Sequence, residues 1–252
     1  MRTHNPISRD DGQMPVTART RIWAQLLILV AASVVFAACS ARGFDRGQLK
    51  QGLADEPRAV TDQDIRTALA QQPQLKFPFK LAVELRWGEC YECGDAWREE
   101  DKQEIMSWGQ QLKQSGIVSE MFLVPDVFAK KDLKDIRLAA AQQGADAVLV
   151  VRSVNGTDEY LNPASFLYIT IVGAWIVPGN DVDALVMLRG AMWDVGNSYL
   201  YVTVESEGES HLVKPSMLLD KNDAIEAAKK NALDSFGPEF VRHIEALRGK
   251  PS

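Results

Sequence analysis

Two cysteines separated by two residues, Cys90-Tyr91-Glu92-Cys93, are the sharpest chemical signal in the chain. They follow a strand-like stretch and precede a helix-like one. That is the placement a redox pair needs, because a helix N-terminus lowers a thiol pKa and frees the thiolate for exchange. Two features oppose it. Trp87-Gly88-Glu89 separates strand from motif, and Glu92 sets an anion beside the thiols, which disfavours a thiolate. A closed zinc site wants four ligands, and past the leader the only histidines are His211 and His243, neither arranged as a second pair. In an oxidising compartment two close cysteines most simply form a structural disulfide that pins a loop. A Cys90–Cys93 disulfide is therefore expected, with thiol–disulfide oxidoreductase chemistry as the runner-up and metal binding behind it.

Two other stretches carry weaker signals. Glu205, Glu207, Glu209 and His211 alternate, so an extended chain places all four on one face. Oxygen ligands suit a divalent cation, but a charged strand face that resists edge-to-edge pairing is the plainer reading. Asn162 to Asn180 is unusually apolar, and its 164–177 portion is too short for a membrane helix and long for one strand. Packing in the core is expected there, as a bent buried strand around Gly173. A protein interface or a membrane contact through Trp175 are the alternatives. No nucleophile elbow, phosphate loop, HExxH or dinucleotide fingerprint appears. The expectation is a non-enzyme with no catalytic residue, no metal and no cofactor.

The third cysteine stands at the end of an address. Arg2, Arg9, Arg19 and Arg21 precede an apolar run from Ile22 to Ala38, which ends Phe36-Ala37-Ala38-Cys39-Ser40. A basic region, an apolar stretch and small residues at the exit are the three parts of a secretory signal. The ending resembles the lipobox of bacterial lipoproteins, with Phe36 where leucine is usual. In such proteins the cysteine carries diacylglycerol and palmitate and becomes the mature N-terminus. Several acyl chains anchor stably where one does not. Ser40 in place of aspartate resembles the signal for transfer to the outer membrane of Gram-negative bacteria. The expected organisation is a lipoprotein signal peptide over 1–38, a lipidated flexible tether over 39–60 and a globular domain over 61–248, facing the periplasm.

The elements that must position these residues alternate. Thr61 is expected to cap a short helix through about Gln72. Phe79 to Arg86 reads as a strand, and Asp95 as the cap of a helix with the stripe Ile105, Trp108 and Leu112, stopped by Gly116. Val118 to Val124 is a second strand. Leu133, Ile136 and Ala140 line a helix ended by Gly144, and 146–153 is a buried strand. Later, 182–193 and 199–207 flank Gly196-Asn197, which predicts a hairpin on a tight primed turn. Asp220 opens a helix with Ile225, Ala228, Ala232 and Phe236 on one stripe, expected to break at Gly237-Pro238 before a last short helix. The fold class is α/β: a single domain whose mixed sheet has early parallel β-α-β crossovers, a late antiparallel hairpin and helices packed on it.

Charge and composition narrow the role. The 252 residues are 46% hydrophobic and 25% charged, ordinary globular values. The net charge is −6; the leader contributes +2, so the rest carries −8. That argues against nucleic acid as a partner. The partners expected are membrane lipid through Cys39 and an envelope protein or further copies of the chain.

Several stretches together resemble a known group. Leu85-Arg-Trp-Gly-Glu-Cys-Tyr-Glu-Cys93, Val177-Pro-Gly-Asn180 with Val182-Asp-Ala-Leu185, and Trp193-Asp-Val-Gly-Asn-Ser-Tyr-Leu-Tyr201 running into Thr203-Val-Glu205 look like the rhombotarget (rhombotail) lipoproteins of proteobacteria. Some members carry a Gly-Gly, apolar and basic sorting tail. This chain ends Arg248-Gly-Lys-Pro-Ser252, so rhomboid-type processing is not expected. More distantly, the element order and Gly144-Ala-Asp-Ala147 look like a broader group of α/β envelope lipoproteins that includes the curli-secretion subunit, the lipoprotein activators of penicillin-binding proteins and the TolB amino-terminal domain. That likeness implies an accessory or assembly role and transfers no functional residue.

Overall fold

The computed structural model describes residues 43–53, 59–88, 97–124, 132–169, 175–218 and 220–249. Cys39, Cys90, Cys93 and Asp95 lie outside them. Five strands form one sheet in the order β2-β1-β3-β4-β5, with β1 Phe79–Trp87, β2 Val118–Leu123, β3 Ala147–Leu161, β4 Asn180–Asp194 and β5 Leu200–Lys214. The helices are α1 Arg46–Leu53, α2 Asp62–Ala70, α3 Glu99–Gln114, α4 Leu133–Gln142 and α5 Lys221–Leu247. β2, β1 and β3 run parallel, and β4 and β5 add on antiparallel. This is the mixed α/β sheet expected from the sequence.

The two crossovers step in opposite directions across the sheet, β1 outward to β2 and β2 back over β1 to β3. Right-handed connections then put their helices on opposite faces. On one face Leu81, Val83, Leu149, Val151, Val186 and Leu188 pack against Ile105 and Leu112 of α3 and Phe236, Phe240 and Ile244 of α5. On the other, Ile136 and Ala140 of α4 cover Ala82, Val148 and Val150. Further along that face, α1 sets Leu53, Leu49 and Phe44 over Val154, Leu185 and Met187. Residues 39–60 are expected above to be a tether; within that span Arg46–Leu53 is helical and Leu53 is buried.

Several local expectations change in three dimensions. β3 runs to Leu161, well past Ser153, although Asn155 to Tyr160 is mostly polar. Each residue from Arg152 to Leu161 is paired with β4, from Arg189 to Asn180. β4 is in turn paired with β5, so the three strands project as a ribbon beyond the parallel part. The β4–β5 turn is not the two-residue primed turn. Asp194 Oδ1 accepts from the backbone N–H of Gly196 (2.8 Å) and Asn197 (3.0 Å), and the positive φ falls on Ser198 at 64°. α3 begins at Glu99 after Arg98, whose N–H donates to Asp101 (2.8 Å), so the cap is at Arg98 and not at Asp95.

α5 does not break at Gly237-Pro238 and continues to Leu247. An internal proline costs about 3 kcal/mol or more. Here Phe236 on one side and Phe240, Val241 and Ile244 on the other are all buried, so the core holds both halves in line. α5 also lies unusually close to β5. A Cβ on Gly208 would stand 2.2 Å from the Ala228 carbonyl oxygen. Ser206 and Ser210 hydroxyls, on either side of it, donate to the carbonyls of Ala232 (2.9 Å) and Ala224 (2.6 Å).

Candidate functional site

Cys90 and Cys93 lie outside the described residues, and the residues that flank them are fixed. Trp87 at the end of β1 and Trp97 before α3 meet edge to face at 5.5 Å, and Gly88 N–H donates to Ser153 O at 2.7 Å. Beneath them lies Lys229 of α5, fully buried. Its Nζ sits 2.6 Å from Asp101 and 2.7 Å from Glu226, and 5.6 Å from the Trp87 ring centre. Arg98 adds a contact to Glu226 at 3.3 Å. The sequence reading missed this cluster, because Lys229 and Glu226 read as ordinary charges on a helix. Two carboxylates on one ammonium hold it as a structural cation, joining the starts of α3 and α5 beside the loop.

The acidic alternation on β5 is committed to ion pairs. Glu205 meets Arg189 at 2.7 Å, Glu207 meets Arg46 at 3.6 Å, and Arg46 also bonds Glu209. His211 Nδ1 lies 2.6 Å from Asp183, whose second oxygen accepts from the Tyr160 hydroxyl at 3.0 Å. These links tie α1 and the three ribbon strands together. Among the described residues no group of three or more His, Cys, Asp or Glu is placed to hold a metal ion.

A groove of about 560 Å³ runs between α3 and α5, lined by Glu104, Trp108, Lys230, Asp234, Pro238 and Arg242 among others. Burial, then the charge of Asp234, pushes the Glu104 carboxyl above its usual range. Charges of both signs line it, Lys230 and Arg242 beside Glu104, Asp234 and Glu245.

The most distinctive surface is the ribbon tip. The chain leaves β3 at Leu161, forms a 3-10 turn over Pro163–Ile169, and re-enters at Asn180. The described residues of this stretch are not the buried strand expected over 164–177, whose Gly173 lies outside them: Phe166 is 67% exposed, Trp175 51% and Ile176 69%. Leu161 and Leu167 are also exposed, as are Val213, Met217 and Leu218 where β5 ends. Eight of the thirteen large exposed hydrophobic residues among the described residues are gathered here.

The polar groups of the tip are turned inward. Tyr168 OH donates to Val177 O (3.1 Å) and accepts from the N–H groups of Gly179 (2.8 Å) and Ser216 (3.2 Å). Asn162 Nδ2 donates to Pro178 O (2.8 Å) and Asp181 (3.0 Å), and its oxygen accepts from Ala164 N–H (2.9 Å). These side chains bond Val177 O, Pro178 O and the N–H groups of Ala164 and Gly179, while Phe166, Trp175 and Ile176 are exposed. The sequence signal for this was Pro163 and Pro178-Gly179 bracketing the apolar run, which mark loop rather than strand.

A second, smaller apolar surface lies on α2. Its cap is built as expected: Asp64 N–H donates to Thr61 Oγ1 (3.2 Å) and Thr61 N–H to Asp64 (2.8 Å). None of its residues is buried, and Val60, Ile65 and Leu69 are exposed.

Fold and surface together define an α/β domain with a projecting antiparallel ribbon and an apolar tip. No family model and no curated protein matches the chain. Solved structures do. A PelC dodecamer from Paraburkholderia phytofirmans is 15% identical with a TM-score of 0.31, covering 69% of this chain and 94% of that one. A minor lipoprotein from Acinetobacter baumannii is 11% identical at 0.32, covering 67% and 92%. The LpoB C-terminal domain from Salmonella enterica is 10% identical at 0.29, covering 57% and 93%. None of them carries a residue over to this chain.

Proposed function

We propose that this chain is a lipid-anchored protein of the bacterial envelope, acylated on Cys39 and facing the periplasm from the outer membrane. Its role is accessory, assembly or scaffolding, performed by surface contact rather than by a catalytic centre. The observation that carries the reading is the ribbon tip, where eight large apolar side chains are exposed. Apolar surface concentrated in this way marks a contact site. Phe36-Ala37-Ala38-Cys39 supplies the anchor, and membership of the rhombotarget lipoproteins belongs to the same reading.

Cys90 and Cys93 form a structural disulfide in this account, within a loop whose flanks are joined by the Trp87–Trp97 contact. An envelope protein or a second copy meets the outward stripe of α2. A nine-residue helix with nothing buried is marginal alone, and a partner on Ile65 and Leu69 stabilises it.

The test is fractionation of a Gram-negative host expressing the full chain. The native chain is expected in outer-membrane fractions, and Cys39→Ser is expected to leave them. Native chain recovered as soluble periplasmic protein sinks the reading. Cross-linking in whole cells checks the partner: a discrete adduct lost in Leu69→Glu supports the assembly role, and a monomer without adducts counts against it.

A further inference from the structure

We propose that the ribbon tip is a second membrane contact, its apolar cap seated in the headgroup–acyl boundary of the leaflet that holds the acylated Cys39. The inference rests on the anchoring reading above, and chain length carries it. Five residues lead from Cys39 to Phe44, and so few reach at most about 18 Å. Phe44 is fixed on the ribbon. Its ring lies by Gly156, together with Leu49. From there α1 runs back toward the body, with Gly52 against Val154 and Leu53 O accepting from Arg189 at 3.1 Å. The start of α1 is thus its tip-ward end. From Gly156 to Leu161 the strand extends about 17 Å. Cys39 thus stands within about 18 Å of Phe44, and the tip within about 17 Å of Gly156 beside it, so the leaflet that holds the acyl chains is within reach of the tip.

The chemistry of the tip suits a lipid surface. Tryptophan is favoured at the membrane interface, and Trp175 is exposed beside Ile176 with Phe166 and Leu167 nearby in the same cap. Backbone that enters an apolar medium must have its polar groups satisfied internally; Tyr168 and Asn162 do this for Val177 O, Pro178 O and the N–H groups of Ala164 and Gly179. Charges behind the cap are paired, Lys221 with Glu159 and Lys214 with Asp223. No helix among the described residues is long and apolar enough to cross a membrane.

The experiment uses the full chain, processed in a Gram-negative host and reconstituted into phosphatidylethanolamine–phosphatidylglycerol vesicles with brominated acyl chains. Tryptophan quenching is compared between the native chain and Trp175→Phe, after the mass of the N-terminal peptide has been read. Quenching present in the native chain and lost in Trp175→Phe supports the proposal. So does a desorption rate from the vesicles raised about tenfold or more in Phe166→Ser/Ile176→Ser. An acylated chain that floats with vesicles but shows no Trp175 quenching overturns the membrane contact, leaves the anchor intact and assigns the tip to a protein partner. An unmodified Cys39 overturns both.

Discussion

Replacing Lys229 by Met tests whether the ion cluster beside the cysteine loop is a structural joint. The Lys229 side chain is fully buried and its ammonium lies 2.6 Å from Asp101 and 2.7 Å from Glu226. Removing one partner of a buried pair costs about 3–5 kcal/mol, because the remaining charge stays buried. The lower end applies here. Glu226 has a quarter of its side chain exposed and keeps Arg98 at 3.3 Å, and Asp101 keeps the Arg98 N–H at 2.8 Å. The expected loss is about 3 kcal/mol, or roughly 6–12 °C in Tm for a domain of this size. Urea unfolding followed by circular dichroism measures it. Adding Asp101→Asn to Lys229→Met removes the most buried orphan charge while keeping an acceptor for the Arg98 N–H, and is expected to restore about half the loss, a coupling that distant sites do not show. A Lys229→Met loss below about 1 kcal/mol, or a double variant no better than the single, refutes the reasoning.

Three further outcomes are expected. The Tyr201 phenol is pushed up to about 12, by burial first and then by its hydrogen bond to Asp194. The folded state therefore holds this proton more tightly than the unfolded one, whose value is near 10. The stabilisation is full below pH 10 and lost between 10 and 12. For a part-exposed ring this amounts to about 1 kcal/mol, and urea midpoints across that range are expected to lose this component in Tyr201→Phe. Gly208→Ala forces a methyl 2.2 Å from the Ala228 carbonyl oxygen and is expected to cost about 2 kcal/mol or more; an unchanged midpoint would mean α5 does not lie on β5 as described. The Cys90–Cys93 pair is expected to have a reduction potential below about −300 mV, as structural disulfides do, and a value between about −270 and −120 mV would make it a redox pair.

Much of the fold was legible because periodicity and caps are local. Ile105, Trp108 and Leu112 fell on one helical stripe and are the buried residues of α3 along with Asp101 and Gly109. Gly116 and Gly144 end their helices with φ of +69° and +74°. The misses share a cause, which is that tertiary pairing decided them. Asn155 to Tyr160 is polar and reads as loop, yet ladder bonds to β4 make it strand. Pro238 reads as a break, yet buried residues on both sides keep the helix whole. Apolar content assigned 164–177 to the core, while Pro163 and Pro178 bracket it and its described residues Phe166, Trp175 and Ile176 are exposed. The Lys229 cluster had no sequence signal, since its members come from α5 and α3, more than a hundred residues apart.

The central claim is that this chain is anchored through Cys39, and the mass of the mature N-terminal peptide tests it most directly. The account predicts a peptide that begins at Cys39 and carries diacylglycerol and a further acyl chain, with that mass absent from Cys39→Ser. A mature chain that begins elsewhere, or a Cys39 peptide without lipid, contradicts it.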